Sequence, residues 1–413
     1  MANAEESTGL RRVTTRVNGS TVLAVAIMVT NVGTYGFQIL AARLLGPEAY
    51  GAVASLMALL LVLSVAQLGL AATAARRVAA APMHLAQIED VVLAVTYRAS
   101  FALGALMLVL SPVVWHVLQL DSIAPAIALA IAAVPSTIVG GQMGILQGER
   151  RWWRLAVVYL GVGIPRLVVG TLFLVVSPTE TSAMIGVLIA LWVPVICGWW
   201  ALRRPRAEGR RSEEHAIRPT LVEVMHSSLA LLAFFVLSNV DVMIARNVMS
   251  DHRAGLYAGG LILTKAVMFL PQVVVVLAFP SMSTEDESRG ALVKSLGAVG
   301  VAGTLSVLAA WLLSGIAMIF VGGDKYQAIE GRLWLFAVLG TMLALLQVLV
   351  YAVLARQHRK AGYLVWIAVL VLVGLGLTMG TVTHLLLTVT SIDIVLTIVL
   401  LLLSLVRRSD ARR

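Results

Sequence analysis

Apolar stretches of about 20 residues recur along this whole chain, and they restrict its fold more than any motif does. A helix of that length crosses the hydrocarbon core of a bilayer. Hydrophobic residues make up 60% of the sequence, the mean hydropathy is +0.93 and only 13% of residues are charged. Soluble domains carry roughly 25% charged residues. Because the stretches are long and show no alternation of period two, helices rather than a barrel satisfy the backbone in lipid. The sequence therefore predicts an all-α polytopic membrane protein.

Twelve predicted spans account for these stretches. They lie at about 18–45, 50–75, 91–118, 122–147, 153–177 and 181–202, and then at about 220–247, 254–282, 291–321, 328–354, 362–384 and 386–406. The predicted organisation is a six-helix lobe at 1–202, a basic linker at 203–219 and a second six-helix lobe at 220–413. No loop exceeds about 20 residues, which leaves no room for a separate catalytic domain. We therefore expect a protein that is not an enzyme.

The two predicted lobes resemble each other in sequence. AARLLGPEAYGAVASL at 41–56 is similar to IARNVMSDHRAGLYAGGLIL at 244–263, with Tyr50 and Tyr257 offset by 207 positions. LQGERRWW at 146–153 is similar to LARQHRKA at 354–361, at an offset of 208. A nearly constant offset at separate places indicates a duplicated half.

The basic residues predict the orientation in the membrane. With the N-terminus inside, 23 Lys and Arg residues fall on the cytoplasmic side and five on the outer side, as the positive-inside rule requires. Both termini are then cytoplasmic, and the two halves are parallel repeats. Transporters built from parallel repeats bind substrate at the repeat interface. The sequence therefore predicts an alternating-access transporter.

Four ionisable residues fall inside predicted spans. Each costs about 2.5–3.5 kcal/mol to insert at the centre of a helix, so each is a functional candidate. They are Arg98, Arg166, Lys265 and Asp241.

Arg166 is the strongest of these candidates, because it lies near the middle of its span. Tyr159, Gly163, Arg166 and Gly170 share one helix face, which forms a stripe of small and polar residues. We expect Arg166 to bind an anionic group together with Arg98 and Lys265. A structural role for Arg98 near the membrane interface is the alternative for that residue.

Lys265 and Asp241 have two interpretations. Their depths differ by roughly 7 Å, which a lysine side chain nearly spans, so they form either a structural ion pair or part of a cleft with ion coupling at Asp241. Asn31, Gln38 and Asn239 occupy comparable stretches of the first and seventh spans. These three residues either line the cleft or make hydrogen bonds between helices.

The remaining polar features favour structural roles. Arg43 and Arg246 stand at the outer ends of their helices, where arginine complements the helix dipole. The single cysteine, Cys197, excludes an internal disulfide, and the histidines show no metal-binding spacing. No Walker sequence occurs, so we expect no nucleotide, no metal and no other cofactor. The net charge of +10 comes from clusters at helix ends, which argues against nucleic acid as a partner.

Three segments of the chain resemble one known group of transporters. ARLLGPEAYG at 42–51 follows a first apolar helix, as at the start of the polysaccharide and O-antigen flippases. These flippases belong to the superfamily of multidrug, oligosaccharidyl-lipid and polysaccharide exporters. NVDVMIARNVMSDHRAGLYAGGLILTKAVMFLPQVVVVLAFP at 239–280 is similar to their seventh and eighth helices, and IFVGGDKYQAIEGRLWLF at 319–336 to their loop between helices nine and ten. Many relatives have fourteen spans, whereas this sequence predicts twelve.

The resemblance implies two lobes in a V shape that flip a polyprenyl-pyrophosphate-linked glycan to the outer leaflet. A tally of three cations to one acid inside the spans agrees with an anionic diphosphate head group. The expected partners are this substrate, membrane lipids, and the glycosyltransferases or polymerase of the same pathway. Arginine outnumbers lysine 27 to 4, as in a GC-rich bacterial genome, so the expected location is a bacterial cytoplasmic membrane, and we expect a monomer.

Three alternatives remain open from the sequence. A cation-coupled multidrug exporter of the same superfamily would use carboxylates in the cleft. A non-transporting membrane component of a glycan-synthesis complex would keep the fold without the cations. A membrane glycosyltransferase or polymerase is the weakest, because its catalytic carboxylates and large loops are missing.

Overall fold

Helices make up almost all of the structure, which is a computed structural model describing residues 19–203, 216–278, 288–355 and 359–406. These ranges contain thirteen α-helices and two 3-10 helices and no strand. The α-helices are α1 (Gly19–Ala80), α2 (Leu85–Val117), α3 (Ala124–Gly148), α4 (Trp152–Val176), α5 (Glu180–Leu202), α6 (Ile217–Leu237), α7 (Val240–Val248), α8 (Asp251–Ala278), α9 (Ser288–Leu312), α10 (Ser314–Val321), α11 (Leu333–Ala355), α12 (Arg359–Gly376) and α13 (Val382–Val406); the 3-10 helices are Pro82–His84 and Asp324–Arg332. Within the described ranges, nine helical stretches are long and apolar enough to cross a membrane, and a shorter apolar helix covers Gly362–Gly376. The prediction of a polytopic all-α membrane protein is confirmed.

Helix α1 contains the first two predicted spans as a hairpin. Gly46 has φ 75° and ψ 175°, a conformation that glycine adopts without strain. A straight helix of these 62 residues would be about 93 Å long. Instead, a Cβ on Gly19 would lie 2.7 Å from Trp152, and one on Gly148 would lie 2.6 Å from Val78. Both ends of α1 therefore reach the turn between α3 and α4. We call the end of the molecule with the turn the Gly46 end, and the opposite one the linker end.

Two predicted spans are broken. The span at 220–247 consists of α6 and α7, separated at Ser238 and Asn239, and the span at 291–321 consists of α9 and α10, separated at Leu313. The Asn239 Nδ2 donates to the Phe235 oxygen at 2.8 Å. Side chains of this kind compete with the helical backbone for hydrogen bonds, which favours a break.

The predicted boundary between the last two spans is wrong. The eleventh span was expected to reach 384, but α12 ends at Gly376 and α13 begins at Val382. The Thr381 hydroxyl accepts from the backbone N–H of His384 at 3.3 Å. Thr381 therefore caps α13 and starts it earlier than hydropathy alone indicates.

Small residues bring the helices close together within each half. A Cβ on Gly140 would lie 2.3 Å from the Gln67 oxygen, and one on Gly260 would lie 2.3 Å from the Phe336 ring. The Gly140-Gly141 and Gly259-Gly260 pairs therefore allow close helix packing, as their sequence predicts.

The two halves of the repeat, α1–α5 and α6–α13, meet through α1. This helix contacts α6, α7 and α8 of the second half. At the Gly46 end, the two copies of the sequence repeat touch each other, because a Cβ on Gly255 would lie 1.6 Å from the Pro47 oxygen. At the linker end, Arg76 and Arg77 both form ion pairs with Glu223, the latter at 2.7 Å. Most of the predicted linker, 204–215, and part of the 354–361 repeat lie outside the described residues.

Candidate functional site

A small cavity lies between the two halves, at the level of the break between α6 and α7. Its volume is about 30 Å³, which holds roughly two water molecules. The cavity brings together Gln38, Asn239, Asp241 and Lys265 among the predicted site residues. The other lining residues are Tyr50, Ala54, Met57, Ala58, Leu61, Ser238, Val242, Ala258, Leu261 and Ile262. An oligosaccharide on a lipid is far larger, so binding such a cargo requires the halves to separate.

Lys265 reaches the helix break from α8. Its Nζ donates to the Ser238 oxygen at 2.5 Å and to the Asn239 Oδ1 at 3.1 Å. Both acceptors are uncharged. Broken helices with exposed carbonyls are typical of binding sites in transporters, and here the break supplies the partners of a partly buried ammonium.

Asp241 lies in the first turn of α7, where the helix dipole favours a negative charge. The Tyr257 hydroxyl donates to its Oδ2 at 2.8 Å. Its Oδ1 is buried and has no hydrogen-bond partner among the described residues. Because Asp241 and Lys265 each take other partners, the direct ion pair between them that depth alone suggests does not form. The two residues interact electrostatically without a direct contact.

Asp393 is a second buried carboxylate that the sequence interpretation missed. It lies in α13 with 0% exposure, and neither of its oxygens has a partner among the described residues. It interacts electrostatically with Asp241 and Lys265. We call the two buried carboxylates together with the partly buried Lys265 the buried ion cluster. With Asp393, the predicted spans contain three cations and two acids. The sequence feature that could have revealed Asp393 is a single acid in the otherwise apolar span 386–406.

Arg166 lies in the first half, away from the cavity lining. The glycines of its stripe pack on α1: a Cβ on Gly163 would lie 2.5 Å from Thr30, and one on Gly170 would lie 2.6 Å from Phe37. The Arg166 side chain is half-buried, and its Nε has no hydrogen-bond partner in the described ranges. The glycines of the predicted stripe are structural, while the guanidinium stays incompletely satisfied.

The other predicted residues of the first half are dispersed. Arg98 is exposed on α2 next to the exposed Phe101, on the side opposite the buried Thr96, because two residues turn a helix by about 200°. The backbone oxygen of Tyr159 accepts from the Thr30 hydroxyl at 2.6 Å, and Asn31 is half-buried. None of these lines the cavity. The three cations expected to bind one head group therefore occupy three separate places.

Equivalent residues of the two halves lie at the cavity, but the two copies differ in charge. Tyr50 and Tyr257 occupy equivalent positions, and Gln38 is offset from Asp241 by the same 203 positions as Arg43 from Arg246. Tyr257 binds Asp241, whereas Tyr50 and Gln38 line the same cavity without a carboxylate. The charged chemistry of the cavity is thus confined to the second half.

Similar folds occur among transporters of known structure. A multidrug resistance MATE family transporter of the MOP superfamily, in an inward-facing conformation, superposes with a TM-score of 0.75 at 16% identity, covering 94% of this chain and 98% of the other. A eukaryotic MATE transporter gives 0.68 at 13% identity, covering 94% and 95%. A MOP superfamily transporter from Pyrococcus furiosus gives 0.64 at 16% identity, covering 95% of each chain.

The sequence itself identifies the family. Residues 17–285 match the family described as polysaccharide biosynthesis protein, whereas comparison with curated proteins finds no significant match. The MATE-like fold of these structures is the one that the sequence predicts. This multi-pass membrane protein belongs to the polysaccharide biosynthesis protein family.

Proposed function

We propose that the protein flips a polyprenyl-pyrophosphate-linked glycan precursor across the cytoplasmic membrane by alternating access. The observation that carries the proposal is Lys265, a partly buried ammonium in the cavity between the halves, whose hydrogen-bond partners among the described residues are uncharged. An anionic diphosphate is a stronger partner for an ammonium than a carbonyl or an amide is. Membership of the polysaccharide biosynthesis family supports this choice of cargo.

The buried ion cluster links cargo binding to a cation. When protons or small cations neutralise both Asp241 and Asp393, Lys265 is left as the uncompensated charge of the cluster. The cluster then attracts a diphosphate. When both carboxylates are ionised, they repel it. Release of the cation on the far side would therefore favour release of the cargo there.

A reconstituted flipping assay tests the proposal. Purified protein in proteoliposomes receives a fluorescent polyprenyl-pyrophosphate sugar, and the fraction that crosses is measured by quenching from outside. We expect Lys265→Ala to lower the flipping rate at least about ten-fold, which corresponds to roughly 1.4 kcal/mol. Lys294→Ala removes an exposed lysine of α9 and should flip at the normal rate. Normal flipping by Lys265→Ala would contradict the role of this residue.

The second candidate is a cation-coupled multidrug exporter. The observation that favours it is the pair of buried carboxylates, Asp241 and Asp393, each with an oxygen that has no partner in the described ranges. A lipophilic cation such as ethidium would bind there in place of an inorganic one. Ethidium export that is lost in Asp393→Asn, without any flipping of the lipid-linked sugar, would favour this function over the first.

A further inference from the structure

Arg246 connects the two halves at the Gly46 end. It lies near the end of α7, and its side chain is only 3% exposed. Its Nε donates to the Leu118 oxygen at 3.1 Å, and its second terminal nitrogen donates to the Gln119 oxygen at 2.9 Å. Both acceptors follow the C-terminus of α2, in the first half. Asp251 forms an ion pair with Arg246 at 2.7 Å, which holds the guanidinium in place.

Arg43 makes the corresponding connection in the opposite direction. It lies near the end of the first segment of α1, and its guanidinium donates to the Ile319 oxygen in the last turn of α10, in the second half. Lys325, which belongs to the second half, donates to the Arg43 backbone oxygen at 3.1 Å. Each arginine of the sequence repeat thus binds the end of the third span of the opposite half.

Each arginine therefore does more than complement the dipole of its own helix, because its side chain donates to the opposite half. The acceptors are carbonyls at the C-termini of other helices, where the helix dipole places partial negative charge. A guanidinium presents a rigid, planar fork of donors that holds several such carbonyls at once, and a lysine ammonium lacks this fixed geometry. Because donors and acceptors belong to different halves, these hydrogen bonds break when the halves separate at the Gly46 end.

We propose that Arg43 and Arg246 form a reciprocal latch that holds the Gly46 end closed. The latch rests on the proposed alternating-access transport, in which the same end must open once in each cycle. The positive-inside rule predicts that the Gly46 end faces the outer side of the membrane. Loss of either arginine should shift the population toward molecules that are open at the Gly46 end, without any change in the cavity itself.

Cysteine accessibility tests the latch without a cargo. Cys197→Ser removes the single cysteine, and Ala54→Cys places a reporter in the cavity lining. A membrane-impermeant maleimide is applied to right-side-out vesicles and, separately, to inverted vesicles. One of the two preparations exposes the Gly46 end to the reagent, whichever side of the membrane that end faces. We expect Arg246→Ala and Arg43→Ala each to raise the labelling rate from that side at least three-fold. Arg246→Lys should give a smaller increase.

Two controls keep the outcome decisive. Arg253→Ala removes an exposed arginine at the start of α8 and should leave the labelling rate unchanged. Membrane abundance and monodisperse elution reveal whether Arg246→Ala folds. If it does not, Arg43→Ala still tests the latch, because Arg43 is exposed and its removal leaves no buried cavity. Unchanged labelling in Arg43→Ala together with any folded Arg246 variant would overturn the latch, and so would an equal increase in Arg253→Ala. A latch that fails in this assay leaves glycan flipping untouched.

Discussion

Lys265 and Asp241 lie on neighbouring helices inside the membrane, yet each forms hydrogen bonds with a different kind of group. The ammonium binds a carbonyl and an amide at the helix break, and the carboxylate binds a tyrosine hydroxyl. A direct ion pair between the two residues would resist replacement of either partner by a ligand, because breaking a buried pair is costly. Partners that are uncharged leave both residues able to take a charged ligand.

Asp241→Asn tests the coupling role at this scale. The amide oxygen of asparagine still accepts from Tyr257, so the change removes the charge and keeps the hydrogen bond. We expect flipping that no longer responds to an imposed proton or sodium gradient, whereas the unaltered protein responds several-fold. The measurement is flipping in proteoliposomes with the gradient imposed and then collapsed. An Asn variant that still responds to the gradient would refute coupling at Asp241.

For the second half, the sequence predicted which polar residues meet in the cavity better than it predicted their hydrogen-bond partners. Asn239, Asp241 and Lys265 do meet in one cavity, because the broken seventh span and the eighth span pack directly together. Asp393 was missed because a single acid in the last apolar span has no nearby motif to mark it. Arg98 was misplaced, since depth in a span says nothing about which face of the helix a side chain occupies.

At the scale of elements, the contact between Pro47 and Gly255 sets the approach of α1 and α8. Gly255→Ala places a Cβ 1.6 Å from the Pro47 oxygen, so the two helices must move apart. We expect a lower thermal unfolding temperature and a loss of a few kcal/mol, in the range of overpacked sites. Unfolding in detergent followed by intrinsic fluorescence measures it.

Gly300→Ala is the matched control for that change. Apart from the backbone of its own helix and its chain neighbours, no atom of the described residues lies within 4 Å of a Cβ at Gly300 in α9. Alanine favours a helix over glycine by about 0.5–1 kcal/mol. This variant should be as stable as the unaltered protein or slightly more so. Equal destabilisation by both substitutions would show that the close approach at Gly255 is not the cause.

Hydropathy predicted where helices lie but not where they stop and restart. A run of apolar residues has the same signature whether it forms one helix or two, so the breaks at Ser238 and Leu313 were invisible. The hairpin in α1 was expected as two spans, because Gly46-Pro47 is a strong turn signal. Local capping at Thr381 moved the last boundary, which only the hydrogen bond reveals.

At the scale of the whole molecule, the halves are held together at both ends by different chemistry. The Gly46 end uses buried hydrogen bonds from arginine to carbonyls. The linker end uses the ion pairs of Arg76 and Arg77 with Glu223, which are partly exposed. Exposed pairs contribute roughly 0–1 kcal/mol and weaken with salt.

Glu223→Gln should therefore act in the opposite direction to the latch variants. Removing the carboxylate weakens the contact between α1 and α6 at the linker end, so the maleimide should reach Ala54→Cys faster from the linker side. We expect an increase of about two-fold or less, given the small energy of exposed ion pairs, and a similar increase for the unaltered protein in high salt. An increase from the Gly46 side instead would contradict this assignment of the two ends.

The turn at Gly46 also has a consequence for how the protein is made. One glycine joins two spans, so almost no chain extends from the membrane there to anchor the first span before the second is synthesised. The pair should enter the bilayer as one unit, with the insertion machinery releasing both helices together. A short epitope tag placed between Gly46 and Pro47 would give each span its own insertion step, and the yield of correctly oriented protein reports whether the hairpin has to form first.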